Sequence, residues 1–205
     1  MDEKTKEILN EFYGDIIDLN ICDLEIENTL NLKKFKKIEK IECDNNYIEK
    51  IVGLNKHIVE IYCSNNLIHK LGKLPENLIT LNCSNNYIDR LDNLPSKLKN
   101  LDCSLNKIIN LNNLPIELKN LDCSWNCIIN LDFLPESIVN LTCRNNYIIS
   151  LDNLPFGLKY LDCSWNKILT LDNLPINMCY VTYTSSYTTI NNNYSNIKLI
   201  DITSK

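Results

Sequence analysis

A period of twenty residues governs most of this sequence. Residues 101–120 read LDCSLNKIINLNNLPIELKN, and residues 121–140 read LDCSWNCIINLDFLPESIVN, with similar residue types at the same places. Self-similarity at a short fixed period predicts a repeat architecture in which each unit packs only against its neighbours. We number the positions of each repeat from 1 to 20, so that repeat 1 begins at Ile41 and repeat 7 ends at Tyr180.

Several positions of the repeat are constant enough to predict its conformation. Position 1 is Ile or Leu, position 6 is Asn, position 8 is Ile, and positions 11, 14 and 18 are apolar in all seven repeats. Because positions 1 and 3 are apolar while 2 and 4 are mostly polar, each repeat should contain one short, half-buried strand. The asparagine at position 6 can satisfy backbone groups of the following turn and of the adjacent repeat. Every proline occupies position 15, which predicts an extended or polyproline-like return leg rather than a helix.

Most of the ten cysteines follow the same period. Seven of them fill position 3, namely Cys43, Cys63, Cys83, Cys103, Cys123, Cys143 and Cys163. A disulfide needs β-carbons about 3.8 Å apart, whereas stacked strands hold parallel side chains about 4.8 Å apart. A metal site needs thiolates that converge on one point. We therefore expect a column of small, buried, reduced side chains, with no metal and no cofactor, which suits a reducing compartment.

The two ends of the chain depart from the repeat. Residues 1–40 are predicted to form an N-terminal cap, with a short helix over Asp2–Tyr13 followed by a degenerate repeat. Residues 41–180 hold the seven repeats, and residues 181–205 a degenerate repeat and a capping strand, IKLIDI, whose apolar residues fall one residue early. The predicted fold is an α/β-class solenoid that is mostly β, with an open parallel sheet of about nine short strands.

The repeat LxxLxCSxNxIxxLxNLPxx resembles the leucine-rich repeat in its short, twenty-residue form. It is similar to the repeats of bacterial effectors of the YopM and IpaH kind, in which Leu-Pro likewise opens the return leg. The Asn-rich, Ala-free form with Cys at position 3 also resembles leucine-rich repeat proteins of mimivirus-type giant viruses. The resemblance implies a horseshoe that binds a protein partner, and it implies host cytoplasm or virion if the viral likeness holds.

Charge and composition narrow the expected partners. The formal net charge of −5 argues against broad binding to nucleic-acid phosphates. The opening residues, MDEKTKEILN, lack the apolar core of a signal peptide, and no run of eighteen apolar residues predicts a membrane span. We expect an intracellular monomer that binds a protein, with no nucleic acid and no membrane as partner.

Departures from the repeat point to a contact surface. Positions 20, 2 and 4, with position 5 at the edge, should form the concave face of the horseshoe. Large or charged side chains replace the usual Ser and Asn there in the C-terminal repeats, and Trp, Tyr and Arg are the types most enriched in binding hot spots. The candidate partner-binding residues are Leu105, Asp122, Trp125, Arg144, Tyr160, Asp162, Trp165 and Tyr180. In the alternative interpretation, the arginine only pairs with its aspartates and the tryptophans pack along the strand edge.

Two further features leave alternatives open. Position 9 is polar in repeats 1–3 and apolar afterwards, as Ile109, Ile129, Ile149 and Leu169. These side chains could form an exposed interface or widen the core, and we favour the second. Catalytic residues are not expected, because neither histidine has a nearby Ser or Cys partner at any familiar spacing. The alternatives to a protein-interaction module are a structural protein without a specific ligand and, less favoured, an enzyme that uses Cys127.

Overall fold

The repeats form a stack of short parallel strands. The structure is a computed structural model, and it describes residues 3–12, 15–185, 188–190 and 196–203. One helix, α1, begins the described chain. The elements in order are α1 Glu3–Asn10, β1 Asp18–Asn20, β2 Glu27–Asn31, β3 Lys40–Glu42, β4 Tyr47–Val52, β5 Glu60–Tyr62, β6 Thr80–Asn82, β7 Asn100–Asp102, β8 Asn120–Asp122, β9 Asn140–Thr142, β10 Tyr160–Asp162, β11 Tyr180–Tyr183 and β12 Lys198–Asp201. The helix predicted over Asp2–Tyr13 is present but shorter, and residues 2, 13 and 14 lie outside the described residues.

Ten of the described strands form one parallel sheet in the order β1-β3-β5-β6-β7-β8-β9-β10-β11-β12. Between β3 and β11 the register equals one repeat, so that Leu101 pairs with Leu121 and Leu121 with Leu141. The predicted solenoid of about nine strands is confirmed, with one strand more. A second sheet that the sequence did not predict joins β2 to β4, and β4 consists of positions 7–12 of repeat 1.

The core lies inside the coil and is formed by the constant apolar columns. Position 8 is 0–3% exposed in every repeat, and the position-3 cysteines are 0–1% exposed. Six of these seven thiols, all but Cys143, donate to a backbone carbonyl of the following repeat, as from Cys103 Sγ to Asp122 O at 3.4 Å. The ten cysteines are all free, including the seven of position 3 to which the spacing argument applied.

The asparagines of position 6 form a buried ladder that joins successive repeats. The Asn126 amide nitrogen donates to the carbonyls of Cys103, Cys123 and Ser124 at 3.0–3.1 Å. Its side-chain oxygen accepts the Ile108 backbone N–H at 2.9 Å. One amide therefore bonds both its own turn and the preceding repeat, which is how a turn can be buried without leaving polar groups unpaired.

The return leg contains short extended segments and two turns. At the second turn the proline carbonyl accepts the backbone N–H of position 18, as from Leu98 to Pro95 at 3.1 Å. This bond closes the turn and directs the buried position-18 side chain into the core. The expectation that the leg has no room for a full helix is confirmed for the described residues.

The last strand differs from its predicted register. The predicted shift was one residue, but β12 pairs Val181 with Leu199 and is therefore two residues early. The reason is the alternation of a strand: Ile197 is buried and Leu199 packs against the core, so these two share the inner face. Part of the predicted polar loop 182–195, namely residues 186, 187 and 191–195, lies outside the described residues.

Candidate functional site

The turn that follows each strand sets the direction of the position-5 side chain. Position 5 has a left-handed backbone in all seven repeats, with φ between 49° and 57°. Asparagine tolerates this conformation, whereas other L-residues lose about 1–2 kcal/mol in it. Asparagine is accordingly found in four repeats, but Leu105, Trp125 and Trp165 occupy the same conformation at φ 54–55°. Their side chains are 46%, 46% and 55% exposed, so core packing does not explain why asparagine was replaced.

Arg144 contacts a tryptophan rather than the aspartates. Its guanidinium carbon lies 6.0 Å from the ring centroid of Trp125, within range of a cation–π interaction. Among the described residues, Arg144 forms no ion pair with Asp122, with Asp162 or with any other carboxylate. The structure therefore brings Arg144 and Trp125 together and shows no direct ion pair of Arg144 with either aspartate.

The aspartates of position 2 hold the turn. Asp122 Oδ1 accepts the Ser124 backbone N–H at 2.9 Å, and Asp162 Oδ1 accepts the Ser164 backbone N–H at 3.0 Å and its hydroxyl at 2.6 Å. Burial raises the pKa of Asp122, while hydrogen bonding to Ser124 and the nearby Arg144 charge oppose the rise. These carboxylates have a structural role in the strand-to-turn transition, and their contact with a partner remains a prediction.

The concave face changes character along the stack. Position 20 forms a row of amides in which Asn120 donates to Asn100 at 2.6 Å and Asn140 donates to Asn120. A shallow groove of about 300 Å³ lies over this row and the neighbouring position-2 residues. Beyond the amides, the rings of Tyr160 and Tyr180 stack with centroids 5.5 Å apart, and both remain 41–47% exposed.

The position-9 column lies outside the core. Ile109, Ile129, Ile149 and Leu169 are 58–63% exposed, so the interpretation that they widen the core is wrong. The chain is extended after the ladder asparagine, and neighbouring side chains then point to opposite sides. The buried isoleucine of position 8 takes the inward direction and leaves position 9 in solvent.

Sequence reasoning missed the role of position 7. The Lys167 ammonium lies 4.9 Å from the ring centroid of Tyr147, one repeat earlier, and Lys107 lies 4.7 Å from that of Tyr87. Tyr147, Lys167 and Trp165 help to line a groove of about 390 Å³ that continues to Thr184. The signal was present in the sequence, because tyrosine at position 7 is twice followed by lysine at position 7 of the next repeat.

The residues considered for catalysis do not assemble into a site. Burial raises the pKa of the position-3 thiols, that of Cys63 to about 12, so these thiols do not ionise at neutral pH. Cys127 is partly exposed, and His69 stacks against Tyr87 with centroids 5.3 Å apart. Within the described ranges there is no group of three or more metal-ligating side chains, and no described helix is long and apolar enough to cross a membrane.

Comparison with solved structures defines the class of fold. The chain superposes on YopM from Yersinia enterocolitica with a TM-score of 0.73 and 22% identity, over 97% of this chain and 48% of that one. A Shigella effector LRR domain gives a TM-score of 0.65 and 20% identity, over 96% and 85% of the two chains. The functional domain of InlJ from Listeria monocytogenes, which includes a cysteine ladder, gives a TM-score of 0.68 and 24% identity, over 92% of this chain and 54% of that one.

The fold is that of a leucine-rich repeat solenoid. This chain spans about half the length of the YopM chain that it matches. No protein-family model and no curated protein matches the sequence.

Proposed function

We propose that the chain is a non-enzymatic protein-interaction module that binds a protein partner through its concave face between Leu105 and Tyr180. The observation that carries this proposal is the confinement of the large exposed side chains of that face to the C-terminal repeats. There Tyr160 and Tyr180 form an exposed stack and Arg144 lies over Trp125, whereas repeats 3–5 present asparagine at position 20 and serine at position 4.

The chemistry of the face supports a protein partner. Exposed Tyr and Trp bury large, rigid area at a small cost in conformational entropy, and both recur with Arg in binding hot spots. The adjacent amide row offers hydrogen-bond donors and acceptors at the rim of the aromatic stack. Reduced thiols throughout the described stack favour a reducing compartment. A host-cell or virion location and the likeness to giant-virus proteins stay predictions from residue usage.

The experiment is affinity capture with quantitative mass spectrometry, using the full chain as bait. The test variant carries Tyr160→Asn and Tyr180→Asn, because asparagine is the residue of position 20 in repeats 3–5 and continues the amide row. The control variant is Ile116→Asn, which removes an apolar side chain that is 80% exposed on the return leg. We expect the captured protein to be lost with the double variant and retained with the control.

Two results would contradict the proposal. Capture that is equal for the wild type and the double variant would remove the concave face as the contact. If the wild type enriches no protein above an unrelated bait, the structural-protein alternative is supported instead. A thiol-reactivity scan of Cys127 against acyl and disulfide probes tests the enzyme alternative, for which we expect a rate no faster than that of a free cysteine.

A further inference from the structure

The outward side chains of repeats 4–7 form a second surface beside the concave face, which we call the apolar edge. It consists of positions 5, 7 and 9 of these repeats, which alternate with the buried positions 6 and 8. Its large members are Leu105, Trp125 and Trp165 at position 5, Tyr147 at position 7, and the position-9 column. All eight are 46–63% exposed, which leaves on the order of 800 Å² of mostly apolar area in solvent. One partner in a standard interface contributes about that area.

The apolar side chains of positions 5 and 9 are confined to one half of the stack. In repeats 1–3 position 7 still carries Tyr47, Leu67 and Tyr87, but position 5 is asparagine and position 9 is Glu49, His69 and Asp89. The scaffold therefore tolerates polar side chains at these places, and neither folding nor packing requires the apolar ones. Leu105, Trp125 and Trp165 are even retained in a backbone conformation that disfavours them. Strain without a packing benefit points to a use in binding.

The charges in the apolar edge and directly beside it, from position 4 to position 10, have a single sign. Positions 4–10 of repeats 4–7 contain Lys107, Arg144 and Lys167 and no carboxylate, although the whole chain has a net charge of −5. A second copy would place these cations against one another, which disfavours self-association through this surface. The complementary partner carries carboxylates among apolar side chains.

The shape of the apolar edge favours a narrow segment over a membrane. The cations are fixed against rings, with Arg144 over Trp125 and Lys167 over Tyr147, and a groove of about 390 Å³ separates Tyr147 from Trp165. Such a groove holds one anchor side chain, which a fluid bilayer does not supply. Asp132 and Asp152 at position 12 border the edge and would repel a broad acidic surface.

We propose that the apolar edge binds an acidic peptide segment of a protein partner, with an aromatic or aliphatic side chain in the groove between Tyr147 and Trp165 and carboxylates beside Arg144 and Lys167. This proposal rests on the proposed function in that the chain is a protein-interaction module. It adds the surface and the chemistry of the partner.

The two tryptophans of the chain are both in the apolar edge, so intrinsic tryptophan fluorescence reports on this surface and on the adjoining rim of the concave face. The probes are peptides of sixteen random residues, selected by display on the full chain and then synthesised. We expect the enriched peptides to be net negative and to contain at least one large apolar residue. They should shift tryptophan emission to shorter wavelength, and their affinity should fall as salt is raised.

The test variant carries Ile129→Asp and Ile149→Glu, which introduce the carboxylates that positions 9 of repeats 3 and 1 already carry. We expect the selected peptides to bind this variant about tenfold more weakly, or worse. The control is Ile116→Asp, the same change on the return leg, which should leave affinity unchanged. Both variants should keep the wild-type urea midpoint, because the replaced side chains are mostly in solvent.

Each other outcome overturns the proposal. It fails if the enriched peptides are neutral or basic, if none is enriched, or if the edge variant binds as tightly as the wild type. A fluorescence shift with phosphatidylcholine–phosphatidylserine vesicles but not with peptides assigns the edge to a membrane. A shift that grows with protein concentration, together with a doubled mass, assigns it to a second copy. Peptides that lose affinity only on Tyr160→Asn and Tyr180→Asn leave the concave-face proposal standing and overturn this one.

Discussion

Removal of one ladder amide should destabilise the whole stack measurably. In the Asn126→Ala variant the carbonyls of Cys103, Cys123 and Ser124 each keep another donor, from Asn106, Asn146 and the Leu105 backbone respectively. The Ile108 N–H loses the acceptor that the Asn126 side chain provides, and it is left in a buried turn. An orphaned buried donor costs about 1–3 kcal/mol, and the lost amide hydrogen bonds add about 1 kcal/mol. We therefore expect a loss of about 3 kcal/mol.

Urea unfolding followed by circular dichroism measures this loss, and two variants control it. Asn130→Ala removes an exposed amide whose only described bond is a long one, to the Asp132 N–H at 3.4 Å, and should cost less than about 0.5 kcal/mol. Asn126→Asp keeps the acceptor for Ile108 but places a carboxylate against three carbonyls, and should be less stable than the alanine variant at pH 7. If Asn126→Ala loses no more than Asn130→Ala, the ladder does not stabilise the stack in the way argued.

Three further outcomes follow from single contacts. Leu105→Asn should raise the urea midpoint, with a gain of about 0.5–1 kcal/mol, because asparagine tolerates φ 54°. The new amide would also extend the hydrogen-bonded row of position-5 asparagines formed by Asn45, Asn65 and Asn85. An unchanged or lower midpoint would contradict the strain argument. Burial raises the folded-state pKa of Asp122, so ionisation of this carboxyl destabilises the fold as pH rises through that pKa. The Asp122→Asn variant should therefore be more stable than the wild type at pH 7, by less than about 1 kcal/mol. Urea unfolding near pH 3 should show no such gain. A short iodoacetamide pulse, followed by mass spectrometry, should label the partly exposed Cys127 in the folded protein. Cys63 and the other position-3 thiols should be labelled only after unfolding, since burial raises the Cys63 pKa to about 12. Equal labelling of the two kinds of cysteine would mean that the core opens readily.

The fold could be predicted from the sequence because its contacts repeat the period of the chain. A twenty-residue repeat with apolar residues at fixed places can bury them only by stacking in parallel, so the pairing of Leu101 with Leu121 follows directly. The cysteine column was predictable for the same reason, since residues at one position of parallel repeats share one environment. The paired strands β2 and β4 were not, because residues 21–40 lack the pattern that would place them.

The candidate site could be predicted only in part. Departures from the consensus identified Trp125, Arg144 and the tyrosines, and the structure places Arg144 over Trp125 and stacks Tyr160 on Tyr180. The same reasoning assigned Asp122 to the contact surface, but its carboxylate holds the turn. A list of outliers shows which side chains differ, and it does not show what each one already bonds to.

By itself the sequence determined the architecture, the strand register within the seven repeats and the column of reduced thiols, because one short-range pattern repeated seven times leaves a single way to bury its apolar faces. Only the tertiary structure decided the direction of position 9 and the left-handed backbone at position 5. Both depend on how the chain turns on either side of the ladder asparagine, which is fixed by hydrogen bonds between repeats and not by the residues of one repeat. For that reason the apolar edge, with Ile129 in solvent beside Trp125, became visible only when the repeats were stacked.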